Sequence, residues 1–186
     1  MKIVFVRHGE PDYNDVIQRG FIGHGQDLAH LTKSGEEQAQ TAAENSMLDG
    51  IELIVSSPYT RALQTAAIIS KYRNVKIQVE LDLHEWLPDL TYSLFDNESF
   101  KRAMKECIAN KGICPEDSTI KYEELSSVFD RAKKCLEKYT SYKKIAVVAH
   151  GMLMCQFAFL KEYPYCGMAE IEFDKNFEWG GWIDAK

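Results

Sequence analysis

Each of two histidines in this chain follows an apolar run and precedes a glycine. Val4-Phe5-Val6 leads into Arg7-His8-Gly9-Glu10, and Ile145-Ala146-Val147-Val148-Ala149 leads into His150-Gly151. A third apolar run, Leu53-Ile54-Val55, leads into Ser56-Ser57-Pro58-Tyr59-Thr60-Arg61. Imidazole serves as nucleophile, base or anion ligand. Guanidinium is a planar, permanently charged fork that grips phosphate bidentately. Two imidazoles and two arginines at one place therefore suit a phosphoryl group. One imidazole attacks phosphorus in line, while the arginines and the other imidazole neutralise the equatorial oxygens. A helix opening after His150-Gly151 would add backbone N–H groups and a favourable dipole. The leaving alkoxide also needs a proton, so an acid must stand nearby. Glu85, in Leu83-His84-Glu85-Trp86, is the candidate, because the adjacent aromatic can exclude water and raise its pKa. The plain alternatives are a solvated surface glutamate and two loop histidines with ordinary hydrogen bonds.

Such residues must be delivered by a scaffold. An apolar run that stops at a polar loop reads as a buried strand, and ligands bind at the carboxyl ends of such strands in α/β proteins. The pattern predicts strands beginning at Lys2 or Ile3, over 53–56, over the alternating 75–79, and over 144–149. It predicts helices over about 34–48, capped by Thr32 or Ser34 and ended by Gly50, and over 59–71 and 98–110. Two more are expected over 122–140, with Leu125, Val128, Phe129, Ala132, Leu136 and Tyr139 on one face, and from His150 to about 160. Residues 11–32 read as a long functional loop. Residues 81–95 read as irregular, and 168–174 with 177–184 as a terminal hairpin or pair of edge strands. Alternating strands and helices favour an α/β fold, a three-layer α/β/α sandwich with a mostly parallel central sheet.

The 186 residues, 45% hydrophobic and 27% charged, fit one globular domain over 1–186. A net charge of −6 offers no basic stripe for nucleic acid. No stretch approaches the ~20 apolar residues of a membrane span, and the N-terminus enters a strand without the pattern of a signal peptide. The five cysteines, Cys107, Cys114, Cys135, Cys155 and Cys166, are odd in number and form no Cys-x-x-Cys pair. Reduced thiols and a cytoplasmic location are expected, rather than disulfides or a zinc site.

Arg7-His8-Gly9-Glu10, Ser56-Ser57-Pro58-Tyr59-Thr60-Arg61-Ala62-Leu63-Gln64-Thr65-Ala66, Glu85 and His150-Gly151 occur in an order that resembles the histidine phosphatase superfamily, the phosphoglycerate mutase-like group. The resemblance implies that His8 becomes a phosphohistidine, with Arg7, Arg61 and His150 forming the phosphate pocket. It makes Glu85 the proton donor and later the base for water. Asn14 would touch the phosphate, Ile22 and Gly23 would lie on a substrate loop, and Gly151 and Met152 would complete the substrate-binding set. It implies no metal and no cofactor.

Departures from the pattern favour a phosphatase over a mutase. Trp86-Leu87-Pro88 follow Glu85, and Met152 and Leu153 replace the asparagine and serine that follow the second His-Gly of mutases. A mutase also needs a second anionic pocket, for which Lys101-Arg102 is the weak candidate. Pro11 replaces the usual threonine, and Tyr122-Glu123-Glu124 stands where many relatives have Gly-Glu-Ser. Residues 86–120 read as a cap whose divergence leaves the substrate open. The expectation is hydrolysis of a small phosphorylated metabolite by a monomer or homodimer, with no nucleic-acid or membrane partner. The alternatives are mutase-type phosphoryl transfer, a phosphate-binding regulatory module without turnover, and a metal-dependent hydrolase using His8, Glu10 and His150. The adjacent arginines oppose the last, since they repel a divalent cation. His24, His30 and His84 read as loop or solvated residues. Trp86, Tyr92 and Phe95 read as cleft or packing residues, and Trp179 and Trp182 as packing residues.

Overall fold

The apolar runs are continuous rather than alternating because the strands they form are covered on both faces. The computed structural model describes residues 1–93, 96–160 and 162–181. Strands β1 (Lys2–Arg7), β2 (Leu53–Ser56), β3 (Ile77–Val79), β4 (Lys144–Ala149) and β5 (Met168–Glu172) form one sheet in the order β3-β2-β4-β1-β5. All neighbours are parallel except β5, which runs antiparallel to β1. Helices α1 (Tyr13–Gln18), α2 (Lys33–Ala43), α3 (Thr60–Arg73), α4 (Asn97–Ala109), α5 (Leu125–Leu136) and α6 (Gly151–Cys155) surround it.

Alternate strand residues feed two cores. Val4, Val6, Ile54, Ala146 and Val148 pack with Ala43 of α2 and Ala62, Ala66 and Ile69 of α3. Ile3, Phe5, Val55, Ile145 and Val147 pack on the opposite face with α5, α6 and the inner side of α4. The α/β/α sandwich with a mostly parallel sheet is therefore present.

Register delivers the site. Arg7 lies opposite Ala149, and Ser56 opposite Val148. The chain consequently leaves β1, β4 and β2 at one level as His8, His150 and Ser57. The backbone confirms the alignment beyond the strands, with His8 N donating to Ala149 O and Ser57 N to Val148 O.

Several boundaries differ from the pattern-based expectation. Thr32 caps α2 by accepting from Gly35 N, but α2 stops at Ala43, and a 3-10 turn at Ser46–Leu48 carries the chain to Gly50. The expected strand 75–79 is reduced to Ile77–Val79. α5 begins only at Leu125, because Tyr122 and Glu123 are held in extended backbone by contacts to Ile113 and Leu87. α6 ends at Cys155, and the chain turns to bring Phe157 into the aromatic core. The 11–32 stretch is not plain loop. It holds α1, capped by Asp12, and a 3-10 turn at Gly23–Leu28. Its ends are tied together by Asp12 N to His30 O and Thr32 N to Glu10 O. Of the hairpin or edge-strand pair expected over 168–174 and 177–184, the first segment is the edge strand β5, antiparallel to β1, while 177–181 form no strand and Phe177 and Trp179 pack on the larger core. Phe95 and Trp182 lie outside the described residues.

Candidate active site

His8 follows β1 and is 5% exposed. Its Nδ1 lies 2.7 Å from Gly9 O, a carbonyl that only accepts, so Nδ1 carries the proton. Nε2 is then a lone pair, and it accepts from Arg61 Nε at 3.3 Å. Burial, then the Arg61 and Arg7 charges, lower the His8 pKa to about 3. The imidazole is thus neutral and nucleophilic at any ordinary pH. The turn that places it needs small residues, since a Cβ at Gly9 would fall 2.5 Å from Gly35 O.

His150 follows β4 and is fully buried, its ring centroid 5.2 Å from that of His8. Its Nε2 lies 2.7 Å from Ser57 Oγ, at the end of β2. Burial and then Arg61 hold its pKa well below the usual imidazole range. Arg7 extends from the end of β1, donating through Nη1 to Tyr163 O and lying over the Tyr165 ring. Arg61, in the first turn of α3, stacks on Tyr59 and donates through both terminal nitrogens to Asp27 Oδ1 at 3.3 Å. Among the described residues, Arg7 Nε and His150 Nδ1 are the buried side-chain polar atoms without a hydrogen-bond partner. Buried polar groups are normally satisfied, so an orphaned guanidinium N–H and an orphaned imidazole nitrogen beside one neutral nucleophile mark a place for an anion.

Glu85 reaches the same cavity from the segment after β3. Its carboxylate accepts from Trp86 N at 2.9 Å and from Met152 N and Leu153 N at 3.1 Å. The α6 amides expected to hold phosphate are therefore taken by Glu85. Burial pushes its pKa up, outweighing the three amides and Arg61, which pull it down. The segment bearing Glu85 is clamped from behind. Arg131 of α5 donates to Asp82 O and Glu85 O while paired with Glu123 at 2.7 Å.

Arg7, His8, Arg61 and Glu85 line a cavity of about 490 Å³, and His150 lies behind His8, ring to ring. The structure brings Arg7, His8, Arg61, His150 and Glu85 together. Gly23 and Met152 line the cavity, and Gly151 lies against Arg7, whose Nε would stand 3.8 Å from a Cβ there. Asn14 and Ile22 lie elsewhere. Asn14 is exposed, with only its backbone amide engaged by Asp12, and Ile22 is 54% exposed; Tyr13 and Ile17 of α1 line the wall in their stead. His24, expected as a bland loop residue, faces Asp27 at 3.5 Å, a contact that raises its pKa, and it too lines the cavity. Trp86 is both packing and lining, its Nε1 donating to Glu123 O. Glu10 bonds Thr32 Oγ1, and among the described residues no three His, Cys, Asp or Glu side chains are grouped to hold a metal. Asp27, Ser57 and Arg131 were not singled out in the sequence. The first two sit one turn or less from chosen residues, but only the fold shows what they touch.

Comparison with known proteins gives the family and the fold. Residues 3–176 match the histidine phosphatase superfamily (branch 1). The chain is similar to a 2-carboxy-D-arabinitol-1-phosphatase of Triticum aestivum, 29% identical over 155 residues, covering 81% of this chain and 30% of that protein. It thus spans under a third of that relative's length. It is also similar to phosphoserine phosphatase 1 of Hydrogenobacter thermophilus, 25% identical over 193 residues, covering 97% of this chain and 82% of that protein. A mycobacterial glucosyl-3-phosphoglycerate phosphatase superposes with a TM-score of 0.69 over 92% of this chain and 90% of that one, at 19% identity, a likeness of fold. Sequence, sheet and site agree, and the chain belongs to the histidine phosphatase superfamily.

Proposed function

We propose that the protein is a metal-independent phosphomonoesterase that hydrolyses a small phosphorylated metabolite through a phosphohistidine on His8. The observation that carries this reading is the fixed tautomer of His8, with Nδ1 committed to Gly9 O and Nε2 unprotonated, accepting only from Arg61 Nε at 3.3 Å. In the first step Nε2 attacks phosphorus, an N–P bond forms, and the ester P–O bond breaks. The alkoxide takes the Glu85 proton, and the imidazolium charge is stabilised through Nδ1–H on Gly9 O. Arg7 and Arg61 neutralise the phosphoryl oxygens, as a metal would elsewhere, and neutral His150 can add only a hydrogen bond. In the second step water attacks phosphorus and gives a proton to the Glu85 carboxylate. The N–P bond breaks, and orthophosphate and neutral His8 result.

Hydrolysis fits better than mutase transfer because, of the candidate second cation pair, only Lys101 lines the cavity and Arg102 does not. Lys101 is bonded to Glu98 at 2.7 Å and Arg102 to Ser99 Oγ at 3.0 Å. The test is release of p-nitrophenol from p-nitrophenyl phosphate at mildly acidic pH, with a chelator present. Wild type should turn over with the chelator and His8→Ala should not. Turnover unchanged in His8→Ala, or lost to the chelator and restored by a divalent ion, would overturn the reading.

A further inference from the structure

On the phosphatase reading Arg7, His8 and Arg61 form the phosphoryl end of the cavity, and the rest of its lining has a different character. On α4, Asn97, Phe100, Lys101 and Met104 follow at i, i+3, i+4 and i+7, and this stripe lines the cavity. Ser99, Ala103 and Cys107 bury the other side of the helix, so the stripe is fixed in place. Ile17, Trp86 and Pro88 join Phe100 and Met104 in a wall of mainly apolar side chains.

The charges are distributed unevenly. Among the described lining residues, Arg7 and Arg61 belong to the phosphoryl end, and the Lys101 ammonium is turned to Glu98. Asp27 and Asp96 stand in the same walls. Asp27 already sits on the Arg61 fork. A carboxylate or second phosphate on the substrate would meet these acids, while the two other cationic groups in the walls, Lys101 and His24, already face Glu98 and Asp27, and like charges reject a partner. A cationic alcohol finds no open aromatic cage either, since the Trp86 and Phe100 rings meet edge to face. The Tyr13 and Tyr59 rings lie against Arg61, and the Tyr165 ring against Arg7.

We infer that this part of the cavity is a leaving-group site for an uncharged, apolar alcohol, with Asp27, at its border with Arg61, the residue that turns away esters bearing a second anion. The inference rests on the phosphatase reading and narrows its substrate class. Apolar side chains facing a water-filled space gain by burial only when an apolar group enters, at roughly 25 cal/mol per Å² removed from water.

Four primary-alkyl esters of similar leaving-group acidity test this: propyl phosphate, 2-phenylethyl phosphate, 3-phosphooxypropanoate and 3-aminopropyl phosphate. Relative to propyl, kcat/KM should be at least about tenfold higher for phenylethyl and about tenfold lower for the carboxylate ester. The aminopropyl ester should not exceed propyl. Phe100→Ala should shrink the phenylethyl-to-propyl ratio, and Asp27→Asn should raise the carboxylate-to-propyl ratio. A carboxylate or amino ester preferred over phenylethyl, or ratios unmoved in both variants, would overturn the inference. Binding of the matching phosphonates, read by calorimetry, separates the two claims. If no ester is turned over but the phosphonates keep the expected order, the phosphatase reading falls and the pocket stands. If esters are turned over in the reverse order, the pocket falls alone.

Discussion

At the residue scale the central contrast is between His8 and Glu85, two groups whose surroundings move their pKa values in opposite directions. Burial and two arginines keep His8 neutral down to about pH 3. Burial keeps Glu85 protonated to a higher pH than a free glutamic acid. The productive pair, neutral imidazole and protonated carboxyl, exists above the first value and below the second, so kcat for an alkyl phosphate should be greatest at mildly acidic pH. It should fall as pH rises through the Glu85 value. In Glu85→Gln the rate on alkyl esters should drop by about 10²–10⁴-fold and the alkaline limb should vanish, while p-nitrophenyl phosphate, whose leaving group needs little protonation, loses far less. An unchanged alkaline limb in that variant would remove Glu85 from the acid's role. The strand-end residues Arg7, His8, Arg61 and His150 could be read from sequence because each follows an apolar run or opens a helix. Asp27 could not, because its partner Arg61 lies 34 positions away and only folding of the 11–32 excursion joins them.

At the element scale, the segment bearing Glu85 has little regular structure of its own, being a 3-10 turn at Leu81–Leu83 followed by extended chain. Its position depends on the Arg131–Glu123 pair, which is largely buried. Arg131→Met strands the Glu123 carboxylate and should cost about 3 kcal/mol of stability by denaturant melting. It should also lower kcat on alkyl esters more than on p-nitrophenyl phosphate, because Glu85 loses its backing; equal losses on both would mean that the clamp serves stability alone. The turn after β1 has a second requirement. Gly9 and Gly35 approach so closely that Gly9→Ala must push the His8 loop off α2. That variant should lose most of its activity, which the p-nitrophenyl phosphate rate would show. Element types were legible from periodicity, but their ends were not. α5 starts late and α6 stops early where Tyr122, Glu123 and Phe157 have tertiary partners, and such partners override helix propensity.

At the scale of the whole molecule, the sheet is held by cores of different make. One face is small and aliphatic, around Ala62, Ala66 and Val148. The other is aromatic, with Phe157 against Phe5 at 5.2 Å and Phe129 at 5.0 Å between ring centroids. Phe157→Ala should therefore cost about 3–5 kcal/mol and lower the melting temperature by about 10 °C. Calorimetry would measure this, and a shift below a few degrees would show the aromatic core to be less cooperative than its packing implies. The α/β sandwich was legible because strand and helix patterns alternate. The antiparallel return of β5 onto β1 was not, since edge pairing is settled by contacts between residues more than 160 positions apart, such as Lys2 with Glu170. Among the described residues no helix is long and apolar enough to cross a membrane. The central claim concerns one bond, the link between phosphorus and His8 Nε2. Its most direct test is to quench wild-type protein in base during turnover of p-nitrophenyl phosphate and map the phosphoryl group by peptide mass spectrometry. A base-stable, acid-labile phosphoryl group on the peptide carrying His8, absent in His8→Ala, is the expected result. Product release with no phosphoenzyme, or a phosphoryl group on any other residue, would contradict it.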